Sequence, residues 1–387
     1  MVQQVAAFTD TYLPTVNGVT YTVRTWRERF RRLGCEMPVV FPASSYEPGP
    51  AEHPVGSVPF PFYDGFRLGG PRVPQALSSG DGDIEVVHAH TPFALGLAAR
   101  RFARSHSLPL VATYHTPAAA YAEYLAPHER VVSGIRRLAT GYERWFYEGA
   151  DLVLTPSSTA KRHLRERVGV STPVRVVSNG VDLERFSPRG TADFRARHGL
   201  ENDRPLVGYT GRHGREKGLE ELIDAVATLT EIRRANGLAE PLLVLGGDGP
   251  ARDTLEQRAR EHGLGARFLG FLDRAELPSL YAALDVFAHP SPVETQGVVA
   301  LEAMASGTPV VAADTGALSE TVDAGVTGLH YEPGDTGAFA RELQTALERR
   351  ATLEAGCLDR RPTLGVDRSV EQVHRLYASL AESATVE

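Results

Sequence analysis

The sequence predicts an α/β protein with two doubly wound domains, each a parallel sheet covered by helices on both faces. Its 387 residues exceed the length of one typical domain. Short apolar, β-branched runs alternate with helix-length amphipathic segments, as in buried parallel sheets. These runs form one series in each half of the chain, which indicates two such domains. The first series comprises residues 39–41, 84–88, 110–113, 152–155 and 174–177, and the second comprises residues 206–209, 242–245, 267–269, 286–288 and 310–312.

The boundary between the two domains is predicted within residues 179–205, a stretch that opens with the turn dipeptide Asn179-Gly180. This turn dipeptide is followed by several prolines and glycines before the second series of strands begins. We therefore expect a first domain over residues 1–185 and a second domain over residues 200–362. Residues 366–384 carry apolar side chains at helical spacing, which predicts one more helix at the end of the chain.

Composition and charge argue against several classes of protein. A net charge of −7, with no basic excess, disfavours a nucleic-acid partner. Cys35 and Cys357 are far apart, so neither a disulfide nor a thiolate metal site is expected. The first residues form no basic leader, and no apolar run approaches the roughly 20 residues that span a bilayer. We expect a cytoplasmic protein that is at most peripheral at the inner face of the cell membrane.

The strongest motif is the run from Glu294 to Glu302, two carboxylates separated by seven residues. It follows the predicted strand 286–288, and a helix is expected to begin near Gln296. The first N–H groups of a helix are unpaired and attract anions. A carboxylate suits vicinal sugar hydroxyls because it accepts two hydrogen bonds. The plainer alternative is that Glu294 caps the helix and Glu302 lies in solvent.

A second motif, residues 211–218, follows the predicted strand 206–209 and precedes a helix. It places Arg212 and Lys217 beside a helix N-terminus, which suits a diphosphate. Lys217 is also one of only two lysines among the 41 basic residues. The spacing is neither that of a P-loop nor that of a GxGxxG dinucleotide motif, which disfavours an ATPase or a dehydrogenase. The alternative is a glycine-rich turn with its charges in water.

Three weaker signals follow other strands of the two predicted sheets. Gly18 stands where the loop after the first strand meets a helix, and Gly249 lies in a Gly-Asp-Gly-Pro loop that suits a base pocket. His88 and His90 share one face of a strand, as a metal pair would, but no third ligand is evident and no metal is expected. His115 ends another strand, where it suits a substrate contact. For His88, His90 and His115, the alternative is a buried histidine with a structural role.

The Arg212…Lys217 motif, the Gly-Asp-Gly-Pro loop and the Glu294…Glu302 motif, in this order along the chain, resemble the family 4 retaining glycosyltransferases. The resemblance extends from about residue 3 to residue 380. The opening Asp-Thr-Tyr-x-Pro-x-x-Asn-Gly-Val, the Tyr-His-Thr run and the Glu-Thr-Gln-Gly run are similar to members that glycosylate lipids. These members include diacylglycerol glucosyltransferases, sulfoquinovosyl transferases and phosphatidylinositol mannosyltransferases. The resemblance implies the GT-B fold, in which two Rossmann-like domains face each other across a nucleotide-binding cleft, with the helix 366–384 packed back on the first domain.

The resemblance also implies a role for each motif residue. Arg212 and Lys217 would bind the donor diphosphate and stabilise the leaving nucleotide, and Glu302 would hold the ribose. Glu294 would hold the transferred sugar, and His115 would lie beside that sugar. The remaining donor-binding positions would be Gly18, Gly211, Gly249, Thr295, Gln296, Gly297 and Val298. No metal and no cofactor are implied, because the nucleoside-diphosphate sugar is itself a substrate.

The expected reaction is transfer of a hexose, with UDP-glucose as the leading donor, to a lipid. Three alternatives stay open: a GDP-mannose-dependent enzyme, a soluble or polyprenyl-linked saccharide as acceptor, and a nucleotide-sugar sensor without turnover. Contact with a membrane surface is expected at two segments rich in aromatic and basic residues, residues 58–67 and 128–149. A core-facing helix with arginines on its wet side is the alternative for the second segment.

Overall fold

A computed structural model describes residues 2–60, 66–70, 72–77, 83–117, 129–200 and 203–384. For residues 76 and 129–136 it describes the backbone only. The chain divides into two compact units. The first unit comprises Met1–Asn179 together with Val366–Glu387, and the second comprises Gly180–Gly365. Each unit is built around its own parallel sheet.

The first unit contains a seven-stranded sheet whose order places the first strand beside the fourth strand of that sheet. The order is β3-β2-β1-β6-β7-β8-β9, and neighbouring strands are parallel. A small antiparallel pair, β4 and β5, stands apart from it. The strands are β1 Val5–Phe8, β2 Val39–Pro42, β3 Glu52–Val55, β4 Ser57–Pro59, β5 Arg67–Gly69, β6 Val86–Ala89, β7 Leu110–Thr113, β8 Leu152–Thr155 and β9 Val174–Val176.

Two helices of the first unit begin where a short polar side chain caps them. Asn17 Oδ1 accepts a hydrogen bond from the Thr20 N–H at the start of α1, and Ser157 does the same for Ala160 at the start of α4. The helices are α1 Gly18–Arg32, α2 Ala94–Ser105, α3 Glu129–Tyr147, α4 Ser158–Arg162 with a π-helical continuation His163–Val168, and a 3₁₀ turn Gln75–Leu77.

The second unit contains a six-stranded parallel sheet with the order β12-β11-β10-β13-β14-β15. The strands are β10 Leu206–Thr210, β11 Leu242–Gly246, β12 Ala266–Gly270, β13 Val286–His289, β14 Val310–Ala313 and β15 Gly328–Tyr331. Counted within the sheet, this is the strand order 3-2-1-4-5-6 of Rossmann folds. The prediction of two doubly wound α/β domains is confirmed.

Helices cover the sheet of the second unit, and its core is continuous and apolar. The helices are α5 Thr191–Arg197, α6 Leu219–Ala235, α7 Arg252–Glu261, α8 Leu277–Ala283, α9 Val298–Ala305, α10 Leu318–Thr321, α11 Thr336–Glu348 and α12 Arg350–Arg360, with 3₁₀ turns Arg215–Lys217 and Arg361–Leu364.

The last helix, α13 Val366–Ala384, belongs to the first unit although the second unit precedes it in the chain. Its apolar side chains, among them Val370 and Val373, are buried in the core of the first unit. Tyr377 stacks on Phe30 of α1 with ring centroids 5.6 Å apart. Burying this apolar stripe stabilises the docked helix by roughly 1.5–3 kcal/mol for each large side chain removed from water.

The division between the units falls after Asn179, so residues 180–185 do not belong to the first domain as the sequence analysis had placed them. Val181 N donates to Leu364 O at 2.8 Å, and Val181 forms an isolated parallel bridge with Gly365. These contacts join the two ends of the second unit. Residues 180–199, which include α5, are therefore part of that unit as well.

Candidate active site

The predicted donor residues lie on loops at one edge of the second sheet. In a doubly wound sheet, ligands bind beyond the carboxyl ends of the strands where the strand order reverses. Here that point lies between β10 and β13, which are neighbours in the sheet. Gly211, Arg212 and Lys217 follow β10, Gly249 follows the adjacent strand β11, and residues 294–298 follow β13. The fold therefore brings three separate motifs to one edge.

A charged contact joins the loop after β10 to the loop after β13. Lys217 Nζ donates to Glu294 Oε1 at 2.7 Å, and both side chains are largely buried. Burial works to raise the pKa of the Glu294 carboxyl, but the Lys217 ammonium and His289 outweigh it and hold that pKa below its usual value. Glu294 is therefore an ionised hydrogen-bond acceptor at neutral pH. It does not act as the helix cap that the plainer interpretation of the sequence allowed, because Gly297 is the capping residue of α9.

His289, the last residue of β13, contacts this pair and was missed by the sequence analysis. Its Nε2 lies 3.4 Å from Glu294 Oε1, and its ring is 1% exposed. Burial lowers the pKa of His289 to about 4, although Glu294 opposes this shift. A neutral imidazole thus lies beside the carboxylate. The signal that could have revealed it is its position at a strand end, the same signal that identified His88 and His115.

Glu302 is buried and held by two donors, so the alternative of a solvated helix residue is wrong. Glu302 belongs to α9 and its side chain is buried; the Tyr281 hydroxyl donates to Oε2 at 2.9 Å and Arg274 Nη2 lies 3.2 Å from Oε1. Thr210 Oγ1 and the Tyr281 hydroxyl are 2.7 Å apart. Burial raises the pKa of Glu302, and Arg274 and Tyr281 oppose the rise. Arg274 and Tyr281 carry no motif and were not predicted.

The helix α9 begins at Val298, two residues later than the sequence analysis placed it. Gly297 adopts φ +75°, which favours glycine, and it offers no side chain to cap the helix. The Gln296 carbonyl accepts a hydrogen bond from Thr321 Oγ1 at 2.7 Å, which ties the turn to α10. The first N–H groups of α9 thus lie in the same loop as Glu294, with the partial positive charge of a helix end.

Two glycines after β11 allow its loop to lie directly against the loop after β10. A side chain on Gly247 would place Cβ 1.9 Å from the Gly211 carbonyl oxygen, and one on Gly249 would place Cβ 2.6 Å from the His213 carbonyl oxygen. His213 N donates to Asp248 O at 2.8 Å across this contact. The glycines therefore fix how closely the two loops approach, and the role of Gly249 at a nucleotide base stays a prediction.

In the first unit, Gly18 begins the helix after β1, His88 lies in β6, His90 directly follows β6, and His115 follows β7. Gly18 is the first residue of α1, and no atom lies within 4 Å of where its Cβ would be. The protein itself does not require glycine there, so the close approach to a donor stays a prediction. His88 and His90 stack with ring centroids 3.9 Å apart, and His90 Nδ1 lies 3.2 Å from His115 Nε2. Within the described residues, no group of three His, Cys, Asp or Glu residues could hold a metal ion.

The segments proposed for membrane contact are only partly available for it. Phe146 and Tyr147 are buried in the core of the first unit, which corrects their assignment to an interface. Trp145 is 51% exposed, and the Arg100 guanidinium lies 4.3 Å from its ring centroid. Residues 61–65 and 128 lie outside the described residues, as do the side chains of Arg130 and Arg136. In the part of the chain that the structure describes, no helix is long and apolar enough to cross a membrane.

The buried pair of Arg274 and Glu302 predicts a pH-dependent stability. In Arg274→Met the carboxylate loses its cation, so its pKa rises further. Below about pH 4.3, the unfolded-state value, Glu302 is protonated in both states and little is lost. As the pH rises through the folded-state pKa, the uncompensated charge should cost about 3 kcal/mol. Urea denaturation at about pH 5 and about pH 8 should show the larger loss at the higher pH.

The matched control is the same substitution in a Glu302→Gln background. There the carboxylate is absent, so the cost of Arg274→Met should not change with pH. A pH-independent cost in both backgrounds would contradict the assignment of the ion pair.

Two family models together match most of the chain. The model for glycosyl transferases group 1 matches residues 191–355, and the model for Glycosyltransferase Family 4 matches residues 16–185. The solved structure of sucrose-phosphate synthase from Thermosynechococcus elongatus superposes with a TM-score of 0.79 at 25% identity, covering 98% of this chain and 100% of that one. HepE from Anabaena, solved with UDP-glucose, superposes with a TM-score of 0.72 at 22% identity, over 97% and 99% of the two chains, and shares the fold. The predicted GT-B fold class is confirmed.

Curated relatives extend over most of the sequence. The chain is 32% identical over 355 residues to the sulfoquinovosyl transferase SQD2 of Arabidopsis thaliana. The aligned region covers 88% of this chain and 65% of that protein. It thus spans just under two thirds of that relative's length. It is 33% identical over 336 residues to a GDP-mannose-dependent alpha-mannosyltransferase of Mycolicibacterium smegmatis, covering 84% of each. Alpha-monoglucosyldiacylglycerol synthase of Streptococcus pneumoniae is 28% identical, over 88% and 78% of the two chains.

The site geometry agrees with these matches. The two carboxylates of the Glu294–Glu302 motif are both held by cations, and Arg212 and Lys217 precede α6 at the point where the strand order reverses. The chain belongs to the family 4 glycosyltransferases.

Proposed function

We propose that this chain is a retaining glycosyltransferase that moves a hexose from a nucleoside-diphosphate sugar, with UDP-glucose as the leading donor, to a lipid acceptor. The observation that carries the proposal is the contact of Lys217 with Glu294 at 2.7 Å. An ammonium has three donors, so Lys217 can hold Glu294 and still bind a phosphate oxygen. Glu294, ionised and beside a helix N-terminus, then accepts hydrogen bonds from hydroxyls of the transferred sugar.

In the proposed reaction, the bond from the anomeric carbon to the β-phosphate oxygen breaks, and a bond to the acceptor oxygen forms on the same face. The proton of the acceptor hydroxyl passes to the departing phosphate. Negative charge grows on the diphosphate as the sugar becomes oxocarbenium-like. Arg212, Lys217 and the N-terminus of α9 are fixed positive groups that stabilise this charge, and such preorganised groups supply a large part of catalysis. The proposal requires neither a metal nor a cofactor.

A lipid acceptor is favoured by the names of two relatives. SQD2 is a sulfoquinovosyl transferase, and the Streptococcus pneumoniae relative is an alpha-monoglucosyldiacylglycerol synthase. The first alternative is a mannosyltransferase that uses GDP-mannose, because three similar relatives carry that name. Transfer to a soluble or polyprenyl-linked saccharide is compatible with the same donor site. A sensor without turnover is disfavoured because Glu294, Glu302, Arg212 and Lys217 are all present.

The proposal is tested by donor and acceptor assays on the purified protein. UDP-glucose, UDP-galactose, UDP-sulfoquinovose and GDP-mannose are supplied separately with mixed lipid acceptors, and nucleotide release and glycolipid are measured. We expect glycolipid from one donor, with the anomeric configuration of that donor retained in the NMR spectrum of the product. Nucleotide release without glycolipid would indicate an acceptor other than the lipids supplied. Inversion would contradict the mechanism, and binding without release from any donor would favour the sensor.

A second prediction concerns Arg212. Removing its guanidinium in Arg212→Ala should lower kcat by about 100-fold, because one fixed group that stabilises the leaving diphosphate is lost. Arg215→Ala is the matched control, since Arg215 is exposed in the same loop and carries the same charge. The control should retain activity within about twofold. Equal activity of the two variants at matched stability would rule out the role assigned to Arg212.

Membrane contact is a separate part of the proposal and depends on the exposed side of α3. Arg137 is exposed, and Leu138 and Trp145 are 78% and 51% exposed. Basic and apolar groups together favour an anionic interface, at about 1 kcal/mol for each arginine. The protein should sediment with vesicles that contain phosphatidylglycerol and remain in solution with phosphatidylcholine. Arg137→Glu should weaken sedimentation, whereas Arg375→Glu, an exposed site on α13, should not. Failure of the unaltered protein to sediment would remove this part.

A further inference from the structure

Three histidines of the first unit form a buried stack at the end of its sheet. His88 lies in β6, His90 directly follows that strand, and His115 follows the neighbouring strand β7. The rings of His88 and His90 are 3.9 Å apart, and those of His90 and His115 are 5.5 Å apart. All three side chains are buried. The pair His88 and His90, considered above as metal ligands, thus contacts a third histidine by stacking and hydrogen bonding.

The outer end of the stack is fixed by two hydroxyl groups. His88 Nε2 lies 2.6 Å from Thr113 Oγ1, and His88 Nδ1 is hydrogen-bonded to the hydroxyl of Tyr377. Both ring nitrogens of His88 are therefore used. Tyr377 belongs to α13, so the last helix of the chain holds the first ring of the stack. His88 in turn supports the ring of His90 by stacking on it.

We propose that His90 is a positioning residue that fixes the tautomer of His115, so that His115 carries its proton on Nδ1 and acts there as a hydrogen-bond donor. The contact that transmits the effect joins His90 Nδ1 to His115 Nε2 at 3.2 Å. Between two neutral imidazoles, one of these nitrogens must donate and the other must accept. The direction of this hydrogen bond decides the tautomer of both rings.

The second ring nitrogen of His90 decides that direction. Among the described residues, His90 Nε2 has no hydrogen-bond partner, although it is fully buried. A buried N–H without an acceptor is rarer and more costly than a buried lone pair without a donor. The proton of His90 therefore lies on Nδ1, where an acceptor is available. His115 Nε2 receives that hydrogen bond, which leaves Nδ1 of His115 to carry the proton.

Both rings are neutral at physiological pH, as this argument requires. Burial holds the pKa of His90 well below its usual value, and the neighbouring histidines lower it further. Burial also lowers the pKa of His115 to about 3. A third proton on this pair would place a charge on two buried rings, and burial disfavours the charged form. The hydrogen bond is thus one between neutral groups with a single favoured direction.

The consequence for catalysis rests on the proposed function. A protonated Nδ1 donates to an oxygen of the sugar or of the acceptor, and it cannot remove a proton from that oxygen. His115 then recognises substrate and does not act as a general base. This agrees with a mechanism in which the departing phosphate takes the acceptor proton. His90 acts only through His115, so its effect should appear in the tautomer as well as in the rate.

The first test needs no substrate. The full chain is labelled with ¹⁵N-histidine, and long-range ¹H–¹⁵N spectra report which nitrogen of each ring carries the proton. The resonances of His115 are assigned by their loss in His115→Gln. We expect the Nδ1–H tautomer for His115 across neutral pH. An Nε2–H tautomer overturns the proposal whether or not the protein is active, and the expected tautomer in a protein inactive with every donor overturns only the proposed function.

The second test separates positioning from packing. His90→Asn keeps an amide group near the position of Nδ1, so it should retain the tautomer and most of the activity. His90→Phe keeps a stacked ring but no N–H, and its His115 should show a mixture of tautomers with kcat lowered about tenfold, the worth of one hydrogen bond. If His90→Phe does not fold, His90→Gln takes its place, since its amide reaches towards Nε2 instead.

Tyr377→Phe is the matched control, because it removes a buried hydrogen bond of the same stack without touching His90 Nδ1. It should leave the tautomer of His115 unchanged. Equal tautomers and rates in His90→Asn and His90→Phe would overturn the positioning role.

Discussion

The order of the strands in the second sheet brings Lys217 and Glu294 into contact. The two side chains are 77 positions apart, and they meet because β10 and β13 are neighbours whose carboxyl ends share one edge. A largely buried carboxylate needs such a cation, since leaving it alone costs more than the pair contributes to stability. The strand order therefore determines where charge can be placed in this unit, and the two strand-end loops bring that charge together.

The buried polar groups at the two predicted site edges differ in charge. In the second unit, buried carboxylates are matched with Lys217 and Arg274, so charge is kept and compensated. In the first unit, burial lowers the pKa of each of the three stacked histidines, so these rings are neutral. The charged groups proposed for the diphosphate thus lie at the edge of one sheet, whereas the histidines at the edge of the other sheet are neutral. Neutral groups suit sugar hydroxyls, which are themselves uncharged.

Most of the fold, and the position of the motifs at the strand ends, could be predicted from the sequence because both follow local patterns. Apolar runs mark the strands, and glycines with charged residues mark the loops that follow them. Arg274, Tyr281 and His289 were missed since nothing near them in the chain points to Glu302 or Glu294, and only the folded sheet brings them close. The same limit explains why the aromatic residues 145–147 were all assigned to a membrane interface. Composition cannot tell that Trp145 faces outward while Phe146 and Tyr147 fill the core.

The pKa values of Glu294 and Glu302 are shifted in opposite directions, and this difference follows from the partners of the two carboxylates. Both are drawn towards the neutral form by burial. Glu294 accepts a hydrogen bond from the Lys217 ammonium and lies beside His289, and its pKa falls below the usual value. Glu302 belongs to α9 and its side chain is less exposed, with Arg274 and the Tyr281 hydroxyl as its partners, and its pKa rises. A ligand that donates hydrogen bonds to Glu302 favours the ionised form and so supplies stabilisation that the empty site lacks. Glu294 is already ionised and gains less from this effect. In the proposed complex, donor hydroxyls at Glu302 would therefore also stabilise the folded unit, because binding and ionisation of that buried group are linked.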